Sequence, residues 1–144
     1  MKDDLEATDF YGTCVCLGLN RAARAISRRY DAMFKPLGIT SGQFTVLSAL
    51  KRDEAVSLSD IADRLGMDRT TLTRNLRLLE ALDLVSIQPD AQDRRVRSLT
   101  LSAKGRKLLR AAVPLWQKAQ KESTRRIGPS RWRELKPVLD LLST

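Results

Sequence analysis

The sequence contains no histidine. That excludes histidine metal ligands, Ser-His and Cys-His nucleophile pairs, and imidazole pH switches. Its two cysteines, Cys14 and Cys16, are too few for a disulfide framework and read as reduced thiols. The seven glycines form no phosphate-cradling run, and no paired-carboxylate motif or metal-ligand spacing is present, so neither an enzyme nor a cofactor is implied. No apolar run approaches the ~18 residues of a membrane span. The acidic, polar start of the chain lacks a signal-peptide pattern, which predicts a cytoplasmic protein. Gly/Ser linkers, repeats and low-complexity tracts are also missing, so residues 1–144 read as one domain-sized unit.

What is present is positive charge. Lys and Arg number 26 against 17 Asp and Glu, giving +9 and a pI near 10.2, a balance that favours a polyanionic partner. Its distribution is uneven. Residues 1–50 carry 6 basic and 5 acidic side chains, residues 51–101 carry 9 and 9, and residues 102–144 carry 11 and 3. Bulk charge therefore does not identify a binding region in the middle of the chain, and the placement of individual arginines must do so.

That middle region has the richest pattern. Ser57-Leu-Ser-Asp60 reads as a capping box opening a helix through Leu58, Ile61 and Leu65. Gly66-Met67-Asp68 breaks it, with Asp68 placed to cap a second helix from Arg69 to about Leu82. At ~100° per residue, Leu72, Leu76 and Leu79 share one face of that helix. Thr70, Thr73, Arg74 and Arg77 lie opposite, with Arg69 on the flank, and Thr71 in the first turn joins them as a candidate DNA contact. Leucines behind and arginines and threonines in front suit a DNA major groove, although three arginines alone would describe any solvated face. The continuation narrows the choice. Leu84 to Gln88 alternates as a strand, Pro89 to Asp93 reads as a turn, and Arg94 to Leu101 runs back as a second strand. A basic hairpin directly after a helix-turn-helix is a wing, able to bring Arg94 and Arg95 to a minor groove or its phosphates.

The predicted fold is mainly α with a small β-hairpin wing. A winged helix-turn-helix reader occupies residues 40–101, and helices at 10–35 and 102–144 flank it. Phe10 to Lys35 reads as one long helix with an apolar stripe of Leu19, Ala23, Ile26, Tyr30 and Met33, ended by Pro36-Leu-Gly38. Thr40-Ser-Gly-Gln43 is a second capping box, opening a helix to about Leu50, and residues 51–55 read as a loop. Ser102 caps a helix to about Arg126. Gly128-Pro129 ends it, and a last helix runs from Ser130 to Leu142. Pro114 and Pro137 are expected to kink these two helices. The flanking helices carry more apolar surface than a small reader can cover. They are therefore read as a dimerisation layer, the alternative being a monomer core folded onto the reader. A two-fold dimer would set two readers ~34–36 Å apart on a near-palindromic site.

Three blocks carry a family resemblance: Pro36-Leu-Gly-Ile-Thr-Ser-Gly-Gln-Phe44, Leu58-Ser-Asp-Ile-Ala-Asp-Arg-Leu-Gly-Met-Asp-Arg-Thr-Thr-Leu-Thr-Arg-Asn-Leu76, and Asp90-Ala-Gln-Asp-Arg-Arg95 with Leu99-Thr-Leu-Ser-Ala-Lys-Gly105. Across essentially its whole length the chain resembles the MarR family of bacterial regulators. The resemblance implies a homodimeric winged-helix protein on double-stranded DNA, usually a repressor, released by a ligand or an oxidant. It implies that Arg95 is the wing-tip arginine entering the minor groove and Asp93 the acid that braces the wing. Gln92 stands where the family commonly has arginine, so one wing charge is missing.

The cysteines admit two readings. Taken as helical, they point roughly 160° apart and cannot bridge. Cys16 on the apolar stripe reads as a small packed hydrophobe. The resemblance adds a second reading, since the peroxide-sensing branch of the family has a reactive cysteine on its first helix. Cys16 falls at the matching distance and Tyr30 matches a supporting tyrosine, while Asn20 and Ser41 replace two others. Cys16, Tyr30 and Trp116 are also candidates to line a pocket for an anionic or aromatic effector. An architectural, sequence-tolerant DNA binder remains a further alternative, because the basic C-terminal segment allows it.

Overall fold

The computed structural model describes residues 4–52 and 54–144. The first three residues and Asp53 of the predicted 51–55 loop lie outside it. Helices dominate: α1 (Asp4–Ala7), α2 (Phe10–Thr13), α3 (Val15–Phe34), α4 (Ser41–Ala49), α5 (Leu58–Leu65), α6 (Arg69–Ala81), α7 (Ala103–Ile127) and α8 (Pro129–Leu142). The strands are β1 (Val56–Ser57), β2 (Val85–Pro89) and β3 (Arg97–Leu101).

Caps set most helix ends. Thr40 and Gln43 form a full reciprocal box at the start of α4. At α5 the Ser57 hydroxyl accepts from the Asp60 amide at 3.1 Å, and Gly66 ends the helix in the left-handed region at φ 59°. The Ser102 hydroxyl accepts from the Gly105 amide at 2.9 Å and starts α7. Both α7 and α8 run unbroken through Pro114 and Pro137, so the expected kinks do not end either helix. Pro129 itself begins α8, where its missing donor costs nothing.

The predicted single helix from Phe10 to Lys35 is divided. Asp9 caps α2, and Cys14 turns extended (φ −72°, ψ 111°) to become the N-cap of α3. Cys14 is therefore not helical, and the divergence expected of two helical cysteines does not apply to it. The chain then leaves α3 through a 3₁₀ turn at Lys35–Leu37 and a left-handed Gly38.

The hairpin gains a third strand that sequence patterning did not show. The order is β1-β3-β2, all antiparallel, with Val56 opposite Leu99 and Ile87 opposite Leu99 on the other side. Strand β3 is shorter than expected. It begins at Arg97, and Arg94 to Val96 belong to the tip.

One core joins the reader to its flanking helices. Leu47, Leu50, Ile61, Leu72, Leu76, Leu79 and Leu99 are fully buried, and Phe34 of α3 and Ala112 of α7 sit in the same cluster. By contrast α8 buries no residue, and Leu135, Val138, Leu141 and Leu142 are exposed. Among the described residues no helix is long and apolar enough to cross a membrane.

Candidate nucleic-acid interface

Helix α6 is anchored from behind. Leu72, Leu76 and Leu79 are buried to 1% exposure or less, each contributing about 2 kcal/mol by apolar burial. That fixes the rotation of the helix and turns the opposite face outward. Arg69, Thr70, Thr73, Arg74 and Arg77 line an open concavity of about 650 Å³ there, joined by Leu78. Leu78 is half exposed and was missed among the sequence candidates. Its spacing of four from Arg74 was the available signal. An outward leucine beside arginines offers a surface for thymine methyl groups.

Thr71 takes a different place from its neighbours. Its amide donates to Asp68 Oδ1 at 2.8 Å and its hydroxyl to Asp68 Oδ2 at 2.7 Å, so this side chain is spent on the cap. The Arg69 guanidinium donates to Ser59 Oγ on α5 at 3.0 Å. The two Thr71 bonds hold the Asp68 carboxyl below the usual carboxylate range. A depressed folded value means the cap contributes fully above the ordinary carboxylate range and is lost as pH falls through the folded value. Thermal melts from neutral to strongly acid conditions should show this loss in the native chain. They should show a smaller acid slope in Asp68→Asn, whose amide oxygen keeps a cap at every pH. Parallel slopes would contradict the assignment.

The wing tip is organised by two carboxylates. Asp93 Oδ1 accepts from the Arg95 amide at 3.0 Å, so it braces the backbone under Arg95. Asp90, not singled out from sequence, accepts from the amides of Gln92 (2.9 Å) and Asp93 (3.2 Å). Its own amide donates to the Val96 carbonyl at 2.8 Å, which closes the loop. Arg94 and Arg95 are exposed on this loop. The arrangement is an Asx-type turn, and a turn aspartate five residues before an arginine was the missed signal.

The pocket candidates do not converge. Tyr30 tilts against Phe34 (6.4 Å between centroids), Phe34 stacks on Phe44 (4.7 Å), and Phe44 stacks on Trp116 (6.5 Å). Tyr30 and Trp116 thus flank one aromatic row where α3, α4 and α7 meet. The Tyr30 hydroxyl donates to Gln120 Oε1 at 2.6 Å. Burial pushes its phenol above the ordinary range, partly offset by Ser123. Cys16 lies fourteen residues before Tyr30 on α3, roughly 21 Å along the axis at 1.5 Å per residue, and cannot share that site within one chain. It is exposed, so it does not pack as a core hydrophobe, and its Sγ receives a hydrogen bond from Asn20 Nδ2 at 3.2 Å. Among the described residues no group of three His, Cys, Asp or Glu side chains could hold a metal ion.

Known proteins share this architecture. A sequence model of the MarR family matches residues 37–96, the span from the turn after α3 to the wing tip. The Mycobacterium tuberculosis transcriptional regulator MosR, solved in complex with DNA, is 37% identical and superposes with a TM-score of 0.81 over 90% of this chain and 93% of MosR. The chain belongs to the MarR family of transcriptional regulators. Among curated relatives, the HTH-type transcriptional regulator TtmR of Methylorubrum extorquens is 35% identical over 107 residues, 74% of this chain and 53% of TtmR. The chain thus spans about half the length of that relative. Bordetella bronchiseptica BpsR, whose DNA binding is regulated by 6-hydroxynicotinic acid, superposes with a TM-score of 0.83 at 25% identity, covering 94% of this chain and 97% of BpsR.

Proposed function

We propose that this MarR-family chain is a sequence-specific transcriptional repressor. It acts as a homodimer on a near-palindromic operator and is released by a small anionic or aromatic ligand. The observation that carries the reading is the outer face of α6. Arg69, Thr70, Thr73, Arg74 and Arg77 line a concavity there, and Arg94 and Arg95 are exposed on the wing tip. In this reading α6 enters the major groove and Arg95 the minor groove. MosR bound to DNA and BpsR regulated by a small aromatic acid support the DNA and ligand parts by likeness.

The pairing surface is read from exposed apolar residues. Phe10, Tyr11 and Val15 near the N-terminus and Leu135, Val138, Leu141 and Leu142 on α8 would lie open to water in a solitary chain. The flanking segments 10–35 and 102–144 are accordingly assigned to dimerisation. Footprinting on the DNA upstream of the chain's own gene tests the whole reading. A short symmetric footprint is expected. Uniform coverage would favour an architectural DNA binder. A regulator of this kind works where the chromosome is, in the bacterial cytoplasm.

A thiol-based second reading is favoured by one observation, the exposure of Cys16. An accessible thiol meets oxidants that a buried one does not. Peroxide should weaken operator binding by the intact chain and leave Cys16→Ser unaffected in a gel shift. Equal loss in both, or in neither, ends this reading.

A further inference from the structure

A cleft of about 450 Å³ lies between α3 and α7, away from the α6 concavity. Arg29 and Met33 line it from α3, and Glu122, Ser123, Arg125 and Arg126 line it from α7. Three guanidiniums and one carboxylate leave two positive charges unbalanced. Among the described residues none of these four charged side chains forms an ion pair or hydrogen bond with another side chain. Ser123 is buried, at 7% exposure, and adds a neutral polar group to the wall. Like charges on a convex surface separate into water. Gathered around one concavity, these exposed guanidiniums sum to a field that draws anions. Guanidinium forks also match the oxygens of carboxylate and phosphate two at a time.

We propose that this cleft binds a small dianion, a phosphate monoester or a dicarboxylate, through Arg29, Arg125 and Arg126. The surplus of two charges sets the valence, and a cleft of about 450 Å³ has room for a one-ring ligand. The site also sits on the two helices that carry the reader. Phe34, five residues beyond Arg29, and Ala112 on α7 are both in the reader core. A dianion drawing Arg29 toward Arg125 and Arg126 fixes how α3 lies on α7. Any effect on DNA rests on the ligand-released regulator proposed above; binding itself does not.

Calorimetric titration of the full chain with phenyl phosphate and, separately, with phthalate tests the site at constant ionic strength. At least one probe should bind, and the R125Q/R126Q double variant should bind it about tenfold or more weakly. The R131Q/R133Q variant removes the same charge from α8, outside the cleft, and should keep the affinity. Arg29→Gln tests the α3 wall alone, and a far-ultraviolet melt confirms that each variant folds. Binding of only one probe assigns phosphate or dicarboxylate as the preferred class. Absence of binding by both probes, or equal loss in both double variants, overturns the proposal. Binding that leaves operator affinity unchanged in a gel shift upholds the site and overturns only its role in release.

Discussion

Gly105→Ala is expected to destabilise the protein by about 3 kcal/mol and lower its melting temperature by roughly 10 °C. A β-carbon at this position would stand 2.0 Å from the Leu84 carbonyl oxygen, 3.0 Å from its carbon and 3.3 Å from Leu101 Cδ2. The nearest atoms are backbone, which no rotamer change can move aside. That carbonyl already accepts the Ser102 amide at 3.1 Å, and the Leu84 amide donates to Leu79 at 2.9 Å. One methyl group therefore pushes α7 away from the junction of α6 and β2. Gly18→Ala provides the contrast. It is also helical, but nothing lies within 4 Å of its added carbon, so the exchange should be stabilising by about 0.5–1 kcal/mol. Chemical denaturation of the two variants checks the pair. A Gly105→Ala protein as stable as its parent would mean that α7 does not press on Leu84 in solution.

Arg74→Ala should erase roughly tenfold to a hundredfold of the preference for operator over scrambled duplex, the range of one two-pronged arginine contact to a base. Arg95→Ala should behave differently. If it lies along the minor groove and its phosphates, its loss weakens binding more evenly across sequences and lowers the salt slope by about one. Gel shifts on both duplexes at several salt concentrations separate the two. The contrast depends on support geometry. Arg74 is held on a helix locked by three buried leucines, whereas Arg95 rides on a loop held by Asp90 and Asp93. If neither substitution alters operator affinity, the DNA-reading assignment fails.

Much of this arrangement was legible from residue types because it follows local rules. The leucine face of α6, the caps at Thr40, Ser57, Asp68 and Ser102, and the left-handed Gly66 all depend on neighbours within four positions. What escaped depends on distant partners. Strand β1 is only Val56 and Ser57, too short to alternate, and exists because Leu99 and Ser98 pair with it. The break at Cys14 escaped because no residue type marks its extended backbone: its amide closes α2 on the Phe10 carbonyl and its Sγ opens α3 by accepting from the Leu17 amide. The alternation of Arg94 to Arg97 mimics a strand, while Asp93 takes the Arg95 amide on its carboxylate and the Val96 amide on its carbonyl. Thr71 shares its residue type with Thr70 and Thr73, and only its bonds to Asp68 set it apart.

The central position of β3 has a mechanical consequence. It is stitched on one side to β1, which leads directly into α5, and on the other to β2. A slip of one residue would throw Leu99 and Leu101 out of the interior, so the ribbon has a single allowed alignment. Accommodation to duplexes of different groove width is then confined to the segment between Pro89 and Arg97, and the rest of the reader meets its target as a stiff template.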